Sequence, residues 1–225
     1  MNRSLRQRLL WGLGCVFLGI QSLGAANVAL DPPSTPAGYV SLLLINEAPF
    51  PGERGYRSEE DSKAAMLAVL WVLHCRALAI PPGYTQKQIA DVSSRSVLDV
   101  MTAGGVKGQV DGFYRDPTGQ LKAVPRVHER VAYLVSVANQ GGPGRMARLL
   151  IHARDLGRLY FQTGPAGRDL FEGLRRIGSV PVTGRGYAWM TDVRGFDPGG
   201  DFVSIPDANL GSLGGNRFYT LEKRK

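Results

Sequence analysis

The sequence predicts a mainly helical α+β fold, with a small β-rich part at its C-terminal end. Two observations carry this. Stretches with apolar residues at helical spacing, or apolar on every face, dominate from Pro36 to about Ile177. From Gly178 the composition turns Gly-, Pro- and Asp-rich, with aromatic residues interleaved at strand-like spacing. No internal repeat or low-complexity tract interrupts this plan. Three segments are therefore expected: residues 1–26 as a leader, 27–177 as a helical domain, and 178–225 as a small β-rich extension packed on the same domain.

Each element has a local reason. Residues 29–34 form a short Pro-rich lead. Thr35 can cap a helix and Pro36 suits its first position, while Pro49 disfavours helical backbone at Ala48, so one helix spans residues 36–47. Ser58-Glu-Glu-Asp61 is a Ser-x-x-Asp relative of the capping box. Residues 64–79 after it are apolar on nearly every face, broken only by His74 and Arg76, which marks a central helix. Pro81-Pro82-Gly83 stops it. Short helices are expected from Thr85 through Ala90, and from Ser93 or Ser94 through Met101 with Val97, Leu98 and Met101 inward. A loop or hairpin then runs to Gly119, its turn signalled by Asp116-Pro-Thr-Gly119. Further helices are expected over 126–139, 146–161 and 168–177, the first two separated by Gln140-Gly-Gly-Pro-Gly144. Three strands are expected near 187–193, 202–205 and 217–221. Gly214-Gly215-Asn216 reads as a tight turn before the last.

The chain opens with Arg3, Arg6 and Arg8, an apolar run from Leu9 to about Leu23, and Gly24-Ala25-Ala26. A basic start, a short apolar run and small residues describe a secretory signal peptide cleaved after Ala26. Gly12, Gly14, Gly19 and Gln21 make the run a poor membrane span. Cys15 invites a lipoprotein reading, but apolar residues continue past it and Gly12 stands where leucine is usual. Cleavage removes three arginines and no acid, so the formal charge falls from +8 to +5. Nucleic acid is one partner for such a surface. For an exported protein, periplasmic or extracellular, an anionic envelope polymer fits better, and a monomer is expected. Cys75 is the single cysteine after residue 26 and falls inside the apolar helix, where it reads as a small hydrophobe.

Glu47 is the leading functional candidate. It falls in the last turn of its helix, where the negative end of the helix dipole and the neighbouring Leu44, Ile45 and Phe50 disfavour a charged carboxylate and raise its pKa. A carboxyl kept protonated near neutral pH can act as a general acid. The competing reading is a glutamate that merely ends a surface helix. A glycosidase of the usual kind needs a second carboxylate across the bond. Glu53, in a Gly/Pro-bounded loop, is the first candidate for that role or for substrate orientation, unless it only pairs with Arg54 or Arg57. Glu59, Glu60 and Asp61 sit where a helix N-terminus wants acids in any case. Gln109, Asp111 and Tyr114 supply the amide, carboxylate and aromatic groups that bind sugars, though Asp-Gly before aromatics is also ordinary turn chemistry. Tyr187, Trp189, Phe196, Phe202, Phe218 and Tyr219 could stack on carbohydrate or simply form the core of the β-rich part. His74, His128 and His152 lack metal-ligand spacing, so no metal or cofactor is expected, and neither a Gly-x-Ser-x-Gly elbow nor a phosphate loop after a strand is present.

Leu43-Leu-Ile-Asn-Glu47-Ala, followed by Pro51-Gly-Glu53 and by Ala64-Ala-Met-Leu-Ala-Val-Leu-Trp-Val-Leu-His-Cys-Arg76, resembles the opening of the SleB-type cell wall hydrolases. Their pattern is a catalytic Glu-Ala, a Gly-Glu a few residues on, and an alanine-rich helix ending in Asn-Arg. His74-Cys75 departs from the asparagine usual before that arginine, and the interval from Glu47 to the helix is longer here. The likeness covers about residues 40–76. It implies a lysozyme-like helical domain that cleaves the glycan strand of peptidoglycan as a muramidase or lytic transglycosylase, with Glu47 as its single general acid and base. A non-catalytic envelope-binding protein on the same scaffold is the alternative. A dry Glu47 beside an open groove favours the enzyme, and a solvated Glu47 without a groove favours the binder.

Overall fold

A computed structural model describes residues 27–141, 144–162, 185–192 and 197–224. The leader over 1–26, the helix expected over 168–177, Val193 at the end of the first expected strand, and Phe196 lie outside the described residues. What is described is a mixed α+β fold. Helix α1 (Pro36–Glu47) begins with the Thr35 hydroxyl accepting from the Gly38 amide and with Pro36 at its first turn. Helix α2 (Glu59–Leu78) begins with Ser58, whose hydroxyl accepts from the Asp61 amide at 3.0 Å. Two short helices follow, α3 (Gln86–Ala90), closed by a reciprocal Thr85–Gln88 capping box, and α4 (Val97–Thr102).

Helix α4 starts later than Ser93 or Ser94. The Gln86 side chain bonds both the amide and the carbonyl of Ser94, and the Ser94 hydroxyl donates to Asp99 at 2.6 Å, so Ser94 is held as a link outside the helix. Strands β1 (Phe113–Arg115) and β2 (Leu121–Ala123) form an antiparallel hairpin. The Asp116 carboxylate closes its turn by accepting from the Thr118 amide and hydroxyl and from the Gln120 amide. Helices α5 (Pro125–Gln140) and α6 (Arg145–Gln162) follow.

The C-terminal part is a small antiparallel sheet. Strand β6 (Asn216–Leu221) lies between β3 (Ala188–Thr191) and β4 (Phe202–Ser204), and a short β5 (Ser212–Leu213), absent from the expected elements, forms a hairpin with it. Gly214 and Gly215 make that hairpin's two-residue turn, both at positive φ, as a type I′ turn requires.

The core is one cluster shared by helices and sheet. Residues Gly38 to Ile45 of α1 and most of α2 from Ala65 to Ala77 are buried, together with Leu149, Leu150, Tyr187, Ile205, Phe218 and Leu221. Both α1 and α2 are thus central, as their all-round apolar sequences require. Helix α6 lies along α1, and Gly157 permits the approach: a Cβ there would stand 2.5 Å from the Ala37 carbonyl oxygen. His74 is a core residue whose Nδ1 shares a 3.1 Å hydrogen bond with the Tyr160 hydroxyl while its ring stacks on Trp71. Cys75 is fully buried beside it. No helix among the described residues is long and apolar enough to cross a membrane.

Candidate active site

The end of α1 meets the C-terminal sheet at Glu47. Helix α1 is stopped by Pro49, and the Ala48 amide closes it on the Leu44 carbonyl at 3.2 Å. Its remaining terminal carbonyls lack helical partners and need outside donors. Arg130 of α5 supplies them. Its guanidinium donates to the carbonyls of Ile45 and Ala48 and, through Nη2, to the Glu53 carboxylate at 2.5 Å. Asn216, the first residue of β6, donates its side-chain amide to the Glu47 carbonyl at 2.7 Å. The Glu47 backbone is therefore held from α5 and from the sheet at once.

The Glu47 side chain points into this junction, where the Trp189 indole N–H donates to its Oε2 at 2.8 Å. Burial pushes the Glu47 carboxyl above the ordinary carboxylate range. The indole, Arg130 and Arg126 pull the other way, and the charge of Asp111 adds to the rise. With the indole N–H bonded to Oε2, Oε1 is the oxygen open to carry the acidic hydrogen. Behind Trp189 lies Arg76, only 7% exposed, its guanidinium carbon 5.9 Å from the indole centroid. Burial lowers the Arg76 pKa to about 10, which leaves the side chain charged at neutral pH. Its Nε donates to the Tyr187 carbonyl at 2.5 Å and its Nη1 to the Gln109 side chain at 2.9 Å. Arg76 thus braces the strand that carries Trp189.

Glu47 opens onto a cleft of about 350 Å³ walled by Asn46, Pro49, Glu53, Arg130, Thr191 and the Gly214–Asn216 turn. A larger hollow of about 590 Å³ lies beside the β1–β2 hairpin, lined by Tyr39, Arg115, Lys122 and His128. It contains no carboxylate, so the acid chemistry belongs to the smaller cleft.

The expected site residues divide. Glu53 lines the cleft, but its partner is Arg130, and the Phe50 amide also donates to it at 2.7 Å. It pairs with neither Arg54 nor Arg57 and is anchored as a brace across the loop. Asp111 is exposed and paired with Arg126 at 2.5 Å, near enough for its charge to act on Glu47. Gln109 reaches the site indirectly, through Arg76. Tyr114 is not drawn in by any bond of its side chain; its carbonyl accepts from the Tyr39 hydroxyl at 3.2 Å, on the hairpin away from the acid. Glu59 is tied to Arg148 and Lys63, and Asp61 accepts from the Gly214 amide at 3.1 Å, both structural roles.

Of the described aromatic residues, Tyr187, Phe218 and Tyr219 are core, Phe202 is half-buried and packs against that core, and Trp189 is the one that bonds the acid. The residues that the motif reading passed over are Arg130 and Asn216. Arg130 does carry a signal: it stands three residues after Val127 and four before Leu134, on the buried stripe of α5, where an unaccompanied arginine needs a polar partner.

No family model, curated protein or solved structure matches this chain.

Among the described residues no group of three His, Cys, Asp or Glu side chains could hold a metal ion. The chemistry available in the cleft is that of one raised carboxyl, held in a fixed orientation and opening onto solvent-accessible space, with no second unpaired carboxylate lining it among the described residues.

Proposed function

We propose that this chain is an exported enzyme, periplasmic or extracellular, that cleaves the glycan strand of peptidoglycan on a lysozyme-like helical scaffold. The observation that carries the reading is Glu47: it is half-buried with its carboxyl raised in pKa, oriented by the Trp189 indole, and beside an open cleft. A protonated carboxyl so placed can give its proton from Oε1 to a glycosidic oxygen as the bond to the anomeric carbon breaks. The resulting carboxylate, steadied by the same indole hydrogen bond, can then take a proton from the incoming nucleophile.

The arrangement favours the lytic transglycosylase form of the reaction. Hydrolysis by the common two-carboxylate routes needs a second acid across the bond, and among the described residues the only other carboxylate lining the cleft, Glu53, is engaged by Arg130 and the Phe50 amide. With one acid, the substrate's own hydroxyl attacks the anomeric carbon, its proton passes to Glu47, and the product carries an anhydro ring. The basic chain suits an anionic wall.

Turbidity clearing and mass spectrometry of digested sacculi test this. Wild type should release anhydro products, lighter than hydrolytic ones by one water, and Glu47→Gln should release none. Activity of Glu47→Gln at the wild-type level would remove Glu47 from the mechanism. Products with reducing ends alone would indicate hydrolysis, and binding without cleavage by wild type would favour a non-catalytic envelope-binding protein.

A further inference from the structure

The Glu47 cleft does not end at Glu53. A second hollow of about 320 Å³ shares Arg54, Thr191 and Gly215 with it, so the two form one groove that leaves Glu47 and passes Arg54 and Arg57. Along this groove the loop after α1 packs closely against the β5–β6 turn. A Cβ on Gly55 would stand 3.0 Å from the Cα of Gly215, and both glycines have positive φ, so side chains at either position would block or strain the passage.

The far half of the groove is cationic. Its one carboxylate among the described residues, Asp192, is paired with Arg217 at 2.9 Å, accepts from the Ser212 hydroxyl at 2.6 Å, and also feels the charge of Arg57. Arg54 and Arg57 are exposed, and no carboxylate among the described residues pairs with either of them. Arg115, Arg126, Arg130, Arg148, Arg154, Arg158, Arg217 and Arg224 each have an acidic partner, while Arg95 and Arg145, exposed like Arg54 and Arg57, line neither hollow of the groove. Two unpaired guanidinium forks at the wall of a groove suit a carboxylate, which a guanidinium binds through two parallel hydrogen bonds.

We propose that Arg54 and Arg57 form an anion subsite that takes a carboxylate carried by the glycan strand beside the bond to be cut, an inference that rests on the proposed glycan-cleaving function. Two substituents of such a strand offer that group, the peptide stem and, where no stem is attached, the free carboxyl of the lactyl ether.

The test measures binding to the full chain in the Glu47→Gln background, where no ligand is cut. Three probes are compared: glycan chains bearing stems, the same chains freed of stems and left with lactyl carboxylates, and neutral chitin oligosaccharides of equal length. At least one carboxylate-bearing probe should bind roughly tenfold or more tightly than chitin, with the advantage shrinking at high salt. Preference for stem-bearing chains over stem-free ones assigns the stem as the source; preference for stem-free chains assigns the lactyl carboxylate, and equal binding, both above chitin, shows that the subsite takes either carboxylate. Arg54→Gln together with Arg57→Gln should bring all three probes to the affinity of chitin. If that pair lowers the melting temperature, Arg54→Lys with Arg57→Lys, which keeps both charges, must retain the low-salt preference. A glutamine pair that still discriminates, or a parent that never does, overturns the subsite. Cleavage is read separately on the chain with Glu47 intact: discrimination without cleavage keeps the subsite and rejects the reaction, and cleavage without discrimination does the reverse.

Discussion

At Glu47 two requirements oppose each other. Catalysis wants a carboxyl that holds its proton, and stability wants a buried carboxyl that is not asked to ionise. Because burial keeps the folded-state pKa above the ordinary 4.5, the folded chain retains a proton there that the unfolded chain has lost. The contribution of this group to stability is therefore full below about pH 4.5 and declines as pH rises through the raised value. Glu47→Gln, which removes the ionisation, should lose cleavage yet melt at or above the wild-type temperature at neutral pH, with the two proteins converging towards pH 4; thermal melts across that range check it. A variant that melts well below wild type throughout would mark Glu47 as a structural acid. Trp189 offers a second test. Its indole stabilises the charged form of Glu47, so Trp189→Phe, which keeps a ring near Arg76 but removes the donor, should raise the Glu47 pKa further. The alkaline limb of the pH–activity profile should then move to higher pH. An unmoved limb would separate the indole from the acid's protonation.

Helix α2 is the element on which the site rests, because it carries Arg76 beneath Trp189 and, through Asp61 and Ala65, receives the Gly214 turn: a Cβ on Gly214 would fall 2.4 Å from that of Ala65. Val69 is fully buried in its middle, so Val69→Asp should cost on the order of several kcal/mol and unfold the domain at ordinary temperatures. Ser58→Ala should cost only about 1 kcal/mol, since a cap satisfies one backbone donor and packing along the helix does the rest. Melting curves of the two variants should differ accordingly, and a Val69→Asp chain that melts like wild type would remove α2 from the centre of the fold. Elements of this kind were legible before any coordinates. The bounds of α1 follow from Thr35-Pro36 at one end and Pro49 at the other, all local devices. The start of α4 and the existence of β5 were not. Gln86 draws Ser94 out of α4 from eight residues away, and two residues of β5 carry no periodic pattern of their own.

At the scale of the whole molecule, the ion pair that joins Glu59 of α2 to Arg148 of α6 contributes to stability against acid. Hydrogen bonds from Arg148 and Lys63 hold the Glu59 carboxyl down at about 2, against an ordinary 4.5. A depressed folded-state pKa gives stability that is complete above about pH 4.5 and is lost as pH falls towards 2, because the unfolded chain takes up the proton first. Glu59→Gln should therefore be less stable than wild type at pH 7, and the gap should close by about pH 2 in an acid titration followed by circular dichroism; a gap independent of pH would trace the loss to packing instead. By itself the sequence determined the mixed α+β content, the β-rich end, the bounds of α1, the central apolar helix α2 and the choice of Glu47 as the acid to watch, since caps, prolines and hydrophobic periodicity act within a few residues along the chain. Only the tertiary structure decided that Trp189, 142 residues away, donates to that acid, that Arg130 takes Glu53 and the last carbonyls of α1, and that Tyr114 stands apart. Each of these is a contact between a charge or dipole and a partner remote in sequence, made because a buried polar group must find a bond wherever the packed helices and sheet bring one within reach.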